Sequence, residues 1–117
     1  MEISLGYFEL SEFDCKETGE NKMDSRFLKK LDALRWICGF PFVINSGYRS
    51  PEHSVEKAKA KAGTHSKGIA SDIACTNSVD RIRLVKLALK AGFTGIGIHK
   101  DFIHLDIRDT TPVMWVY

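Results

Sequence analysis

Three side chains are spaced so that they could hold a metal ion, with carboxylates nearby to move a proton. His65 lies in the glycine-flanked run Gly63-Thr64-His65-Ser66-Lys67-Gly68, Asp72 follows with six residues between, and His104 stands 32 positions beyond Asp72. Two imidazoles and a carboxylate suit a borderline divalent cation such as zinc. Hydrolytic zinc sites combine three protein ligands, one open position and a nearby acid–base group. Two residues compete for that last place: Asp101, three residues before His104, and Asp106, two residues after it. The same histidines and aspartates also read as solvent-facing or satisfied polar residues, and Asp101 as a turn residue after Lys100. His53 and His99 show no partner pattern and read as solvent-facing or supporting groups.

The hydrophobic pattern indicates what must position these residues. Asp14 to Asp24 is polar, contains Gly19 and predicts a loop. A helix follows, capped by Asp24 or Ser25, with Phe27, Leu28, Leu31, Leu34 and Cys38 at helical spacing and Gly39 to end it. Phe42-Val43-Ile44 predicts a short buried strand. Ser50-Pro51-Glu52 has the hydroxyl, proline and acid of a helix start, and predicts a lysine-rich helix through about Ala62. Ile69 to Cys75 alternates as a strand that places Ala70, Asp72 and Ala74 on one face. A carboxylate among alanines is costly to bury without a cation or hydrogen bonds, and the alanines leave room for one. Ser78 predicts the cap of a further helix with Ile82, Val85, Ala88 and Leu89 as its apolar stripe and Gly92 as its end. Strands near Gly95–Ile98 and Phe102–Ile107 close the pattern. In the last, Phe102, His104 and Asp106 share a polar face opposite Ile103, Leu105 and Ile107. If the strands are neighbours, Asp72 and His104 converge. The order α-β-α-β-α-β-β predicts an α+β fold: a small, mostly antiparallel sheet with helices packed against one side.

The bulk numbers set bounds. With 117 residues, 44% hydrophobic and 27% charged, the chain predicts a single domain over residues 1–117. A net charge of +2 is too small and scattered to argue for nucleic acid. Three cysteines, Cys15, Cys38 and Cys75, without CxxC spacing indicate neither a disulfide framework nor a thiolate zinc site; Cys38 and Cys75 read as small buried hydrophobes. The N-terminus has no basic start followed by an apolar run, and no stretch reaches the roughly 18 apolar residues of a membrane span. The expectation is a soluble monomer, cytoplasmic as synthesised, with no membrane insertion.

Five segments together resemble the zinc peptidases of bacterial and phage cell walls, the group containing D-Ala-D-Ala carboxypeptidases and L-alanyl-D-glutamate endopeptidases. Phe8-Glu9-Leu10-Ser11-Glu12-Phe13 with Cys15-Lys16 is similar to the opening segment of that group, and Leu28 to Leu34 to its first long helix. Asn45-Ser46-Gly47-Tyr48-Arg49-Ser50-Pro51-Glu52-His53 resembles its arginine-bearing turn, and Thr64 to Ile73 its first metal motif. Gly95-Ile96-Gly97-Ile98, Phe102 to Arg108, and Trp115 resemble its closing strands.

The resemblance implies one zinc ion held by His65, Asp72 and His104, with water in the fourth position. It implies that Arg49 contacts a substrate carboxylate or carbonyl, a task a guanidinium performs better than an ammonium, and that Asp101 occupies the place of the general base. Asp106 is the rival; it could instead accept the ring proton of His104. The implied activity is hydrolysis of peptidoglycan stem peptides, either as a D,D-carboxypeptidase or as an L-Ala-D-Glu-type endopeptidase. The setting is the cell wall after release, or phage lysis by an endolysin. The alternative is a non-catalytic zinc module of the same fold, as in signalling proteins of the hedgehog type. The chain departs from the group in running Ser54 to Lys61 as a lysine-rich stretch after the arginine turn, and in having only Cys15 near the opening segment.

Overall fold

The computed structural model describes residues 4–59 and 63–117. The first long helix, α1 (Ser25–Cys38), has the expected boundaries. The Asp24 side chain accepts from the Arg26 amide, and Gly39 ends the helix in the left-handed conformation. A strand β1 (Val43–Ser46) and a short helix α2 (Ser54–Lys57) follow, then β2 (Ala70–Ala74), α3 (Ser78–Ala91), β3 (Gly95–Ile98), β4 (Phe102–Asp106) and β5 (Val113–Val116). A single 3-10 turn, Leu10–Phe13, precedes them all.

The fold is α+β, and its five-stranded sheet has the order β1-β2-β4-β3-β5. The sheet is mixed rather than purely antiparallel: β1–β2, β2–β4 and β3–β4 are antiparallel, while β5 runs parallel to β3. Helices α1 and α3 pack against one another, and their buried residues form one cluster with Ile44, Ile73, Ile96, Ile103 and Leu105 from a single face of the sheet. The other face is left for polar groups. No helix among the described residues is long and apolar enough to cross a membrane.

Four local expectations need correction. The Phe42–Ile44 segment begins an edge strand: Ile44 is buried but Val43 is 61% exposed. The helix expected to start at Pro51 behind a Ser50 cap begins three residues later. The Ser50 hydroxyl is buried and tied to Glu20 Oε1 at 2.8 Å, and His53 Nδ1 accepts from the Val55 amide as the actual cap. That helix ends at Lys57, and residues 60–62 of the expected span lie outside the described residues. Asn77, not Ser78, caps α3, accepting from the amides of Val79 and Asp80. The buried stripe of α3 is Leu84 and Ala88, flanked by Val85, whereas Ile82 and Leu89 are exposed. On a helix of 3.6 residues per turn, Ile82 lies about 200° from Leu84 and cannot share its face. The expected fates of Cys38 and Cys75 hold, since both are free and buried, as is Cys15.

Candidate metal centre

Pairing of β2 with β4 puts Asp72 directly opposite His104, on the face away from the helices. His65 reaches the same point from the loop before β2, which is held against the arginine turn by the Arg49 amide donating to the His65 carbonyl at 3.2 Å. The three side chains are buried, at 5%, 4% and 3% exposure for His65, Asp72 and His104. The two imidazoles meet edge to face with ring centroids 5.1 Å apart.

Hydrogen bonds decide which ring nitrogens face inward. The Gly47 carbonyl can only accept, so His65 Nδ1, 2.8 Å away, carries the proton. Asp106 Oδ2 lies 2.7 Å from His104 Nε2 and imposes a proton there by the same argument. The remaining nitrogens, His65 Nε2 and His104 Nδ1, then point lone pairs at one oxygen, Asp72 Oδ1, at 3.3 and 3.0 Å. Three electron-rich atoms so placed repel unless a cation lies among them, either a proton on one ring or a metal ion shared by all. One ligand atom from each residue lies within 4.8 Å of the others. The donor chemistry fits zinc.

Burial opposes each of these charges, and the partners outweigh it. Desolvation would raise the Asp72 carboxyl, yet His104 and His65 hold it well below the usual carboxylate range. Desolvation acts likewise on Asp106, where His104 and Arg108 prevail and the carboxyl is held down. For His104 desolvation favours the neutral ring, but Asp106 and Asp72 raise its pKa above the ordinary value. The site is built to accept positive charge between two fixed anions.

The remaining candidate residues separate. Arg49 reaches the site, its Nη2 3.7 Å from Asp72 Oδ2. Asp106 is completely buried with both oxygens engaged: Arg108 binds them at 3.0 and 2.7 Å, and His104 binds Oδ2. Asp101 does not join the cluster. It sits in the β3–β4 bend with its side chain 61% exposed and Oδ2 3.9 Å from His99 Nδ1. Its carbonyl accepts from the Cys75 amide, three positions along the ladder from the Asp72–His104 pair and so about 10 Å away. His99 stacks on Phe102 at 4.3 Å, and His53 pairs with Glu17 at 3.1 Å.

The cluster forms the floor of a cavity of about 510 Å³ whose walls carry Arg49, Lys59, Lys67 and Arg108 together with Phe102, Trp115 and Tyr117. Trp115 lies beside His104 (centroids 5.1 Å apart) and under the Arg108 guanidinium at 5.0 Å. Room for it comes from Gly97, opposite both His104 and Trp115 in the ladder, where a Cβ would come within 2.7 Å of the indole. A Cβ on Gly95 would collide with the Asp106 carboxylate. Tyr117, Lys59, Lys67 and Glu56 were not singled out by spacing. The signal that was available is the Gly-Ile-Gly-Ile alternation of β3, which strips one face of side chains so that neighbouring groups can lie across it.

A family model described as Peptidase M15 matches residues 6–106, a span that includes every residue of the cluster. No curated protein matches the chain closely.

Proposed function

We propose, from the premise that this chain belongs to the peptidase M15 family, that it is a zinc-dependent hydrolase of peptide bonds in peptidoglycan stem peptides. The observation that carries this reading is the convergence of two imidazole lone pairs on Asp72 Oδ1 at the floor of an open cavity. His65, Asp72 and His104 would hold the ion. Bound there, zinc supplies a Lewis acid that activates water and polarises a carbonyl.

The chain's own groups supply the rest. Arg49 presents a guanidinium to the substrate, suited to a carboxylate or to negative charge developing on a carbonyl oxygen. Among the described residues, four cationic side chains line the cavity against one acidic side chain, Asp72, which supports an acidic peptide as substrate. Asp106 orients His104 and keeps Nδ1 of that ring facing Asp72, and its burial leaves it no access to a reacting proton. Asp101 holds the position that the resemblance gives to the general base and is an exposed carboxylate able to carry a proton; to do so the β3–β4 bend that carries it moves toward the cavity.

Digestion of purified peptidoglycan by the zinc-loaded protein, followed by mass analysis of the fragments, tests the reading and names the bond. Cleavage is expected to stop on exhaustive chelation. His104→Ala is expected to fall by about 1,000-fold, equivalent to losing ~4 kcal/mol of charge stabilisation at the transition state. Asp101→Asn is expected to lose about 100-fold while retaining zinc. Turnover that survives chelation, or an unchanged rate in His104→Ala, overturns the proposal.

A further inference from the structure

We infer that Glu56 is a positioning residue, a buried carboxylate that holds the Arg49 guanidinium and the Lys59 ammonium at the cavity wall. The inference rests on the peptidase reading for what Arg49 binds, and on the geometry alone for how Arg49 is held. Glu56 lies on the four-residue helix α2, in the lysine-rich stretch where the chain departs from the pattern it otherwise resembles, and is only 6% exposed. Glutamate is almost never this buried unless paired, because an isolated carboxylate in the interior costs far more than a small helix can supply.

Its partners account for the burial. Lys59 Nζ lies 2.9 Å from Oε2, and the Gly63 amide donates to Oε1 at 3.3 Å. Ser66 Oγ lies 2.9 Å from Oε1 and 2.7 Å from the Arg49 carbonyl, its one proton shared between them. Arg49 Nη1 lies 3.7 Å from Oε2. Glu56 thus grips Arg49 at both ends, the backbone through Ser66 and the head group directly, and it joins α2 to the loop that carries His65.

The consequence for the site follows from the second anion. Arg49 lies between Glu56 Oε2 and Asp72 Oδ2, at 3.7 Å from each. With the Glu56 charge removed, Asp72 is the remaining anion beside the guanidinium, and the head group is drawn from the cavity wall down onto the floor, out of the place where it meets a substrate. Glu56 therefore keeps Arg49 extended toward the substrate. Loss of that preorganisation weakens substrate binding more than it slows the chemistry.

The test compares the full-length wild type with Glu56→Gln, which keeps the shape and removes the charge, and with Glu56→Asp, which keeps the charge and shortens the reach. Steady-state cleavage of a purified stem peptide is read alongside ¹⁵N relaxation of the Arg49 Nε–H signal, assigned by its loss in Arg49→Lys. For Glu56→Gln, KM is expected to rise about tenfold, the fold-change of losing an ion pair worth about 1.4 kcal/mol, with kcat within about twofold and the Arg49 signal newly mobile. Glu56→Asp is expected to fall between the two in both readouts. An unchanged KM with an equally ordered Arg49 overturns the inference. So does a loss of kcat that only tracks the fraction of unfolded protein. If the wild type cleaves no stem peptide, the proposed function fails, and the mobility of Arg49 in the two variants still decides the role of Glu56.

Discussion

The two faces of β2 and β4 both bury their central residues and do opposite things. Toward the helices, Ile73, Ile103 and Leu105 are at most 1% exposed; toward the cavity, Asp72, His104 and Asp106 are at most 4% exposed. Alternate residues of the same two strands therefore share a backbone and a degree of burial while differing completely in chemistry. The apolar face is stabilised by each square ångström removed from water, at about 25 cal/mol/Å². The polar face gains little net stability, because desolvating its charges offsets most of their mutual attraction. Burial on one side makes the fold, and on the other it holds a candidate cation site in place.

That contrast can be broken from either side. The largest stability effect is expected on the helix side: Leu105→Ala should cost about 3 kcal/mol in urea-induced unfolding, while zinc affinity of the folded fraction stays at its wild-type value. On the cavity side, Asp106→Asn should lower zinc affinity by about 10- to 100-fold in competition with a chromophoric chelator, and unfolding of the metal-free protein should shift by less than in Leu105→Ala. Similar losses of both quantities in both variants would erase the distinction between the faces. The smallest effect sharpens it. Ser71 points to the helix side, completely buried, and its hydroxyl is without a hydrogen-bond partner among the described residues. Ser71→Ala should therefore stabilise the protein by about 1 kcal/mol, the release of an unsatisfied polar group. A loss of stability in that variant would mean that the hydroxyl is satisfied after all.

Legibility in the sequence followed the strength of the local signal. Helix α1 was readable at both ends because a capping aspartate, a continuous apolar stripe and a left-handed glycine agree. Strands β2 and β4 were readable because alternation assigns each residue to a face without reference to any neighbour. Helix α2 starts later than expected although the Ser50 hydroxyl accepts from the Glu52 amide as a cap does: that bond closes only a turn, the same hydroxyl is anchored to Glu20, and His53 caps the helix itself. The stripe of α3 differs from the expected one because its apolar residues outnumber the places that α1 and the sheet leave for them, so Ile82 and Leu89 remain in solvent. Strand β5 has no alternating polarity that periodicity could detect; it is a strand because β3 offers it a parallel edge.

The candidate site divides in the same way. His65, Asp72, His104 and Arg49 come together in space, whereas Asp101, which occupies the expected base position three residues before His104, faces His99 outside the cavity. Glu56 was one charge in a lysine-rich run and had no mark of its own. Its importance arises from contacts with Arg49 and Ser66, seven and ten positions away along the chain.

By itself the sequence determined the donor types, their order, and the faces of β2 and β4 on which Asp72 and His104 stand, because side-chain alternation is a property of an extended backbone. Only the tertiary structure decided which strands are neighbours, which nitrogen of each imidazole is free, and which of two aspartates is engaged. Those depend on hydrogen bonds between residues distant in sequence: the Gly47 carbonyl on His65, the Asp106 carboxylate on His104, and the glycines of β3 that leave Asp106 and Trp115 the space to lie across the sheet.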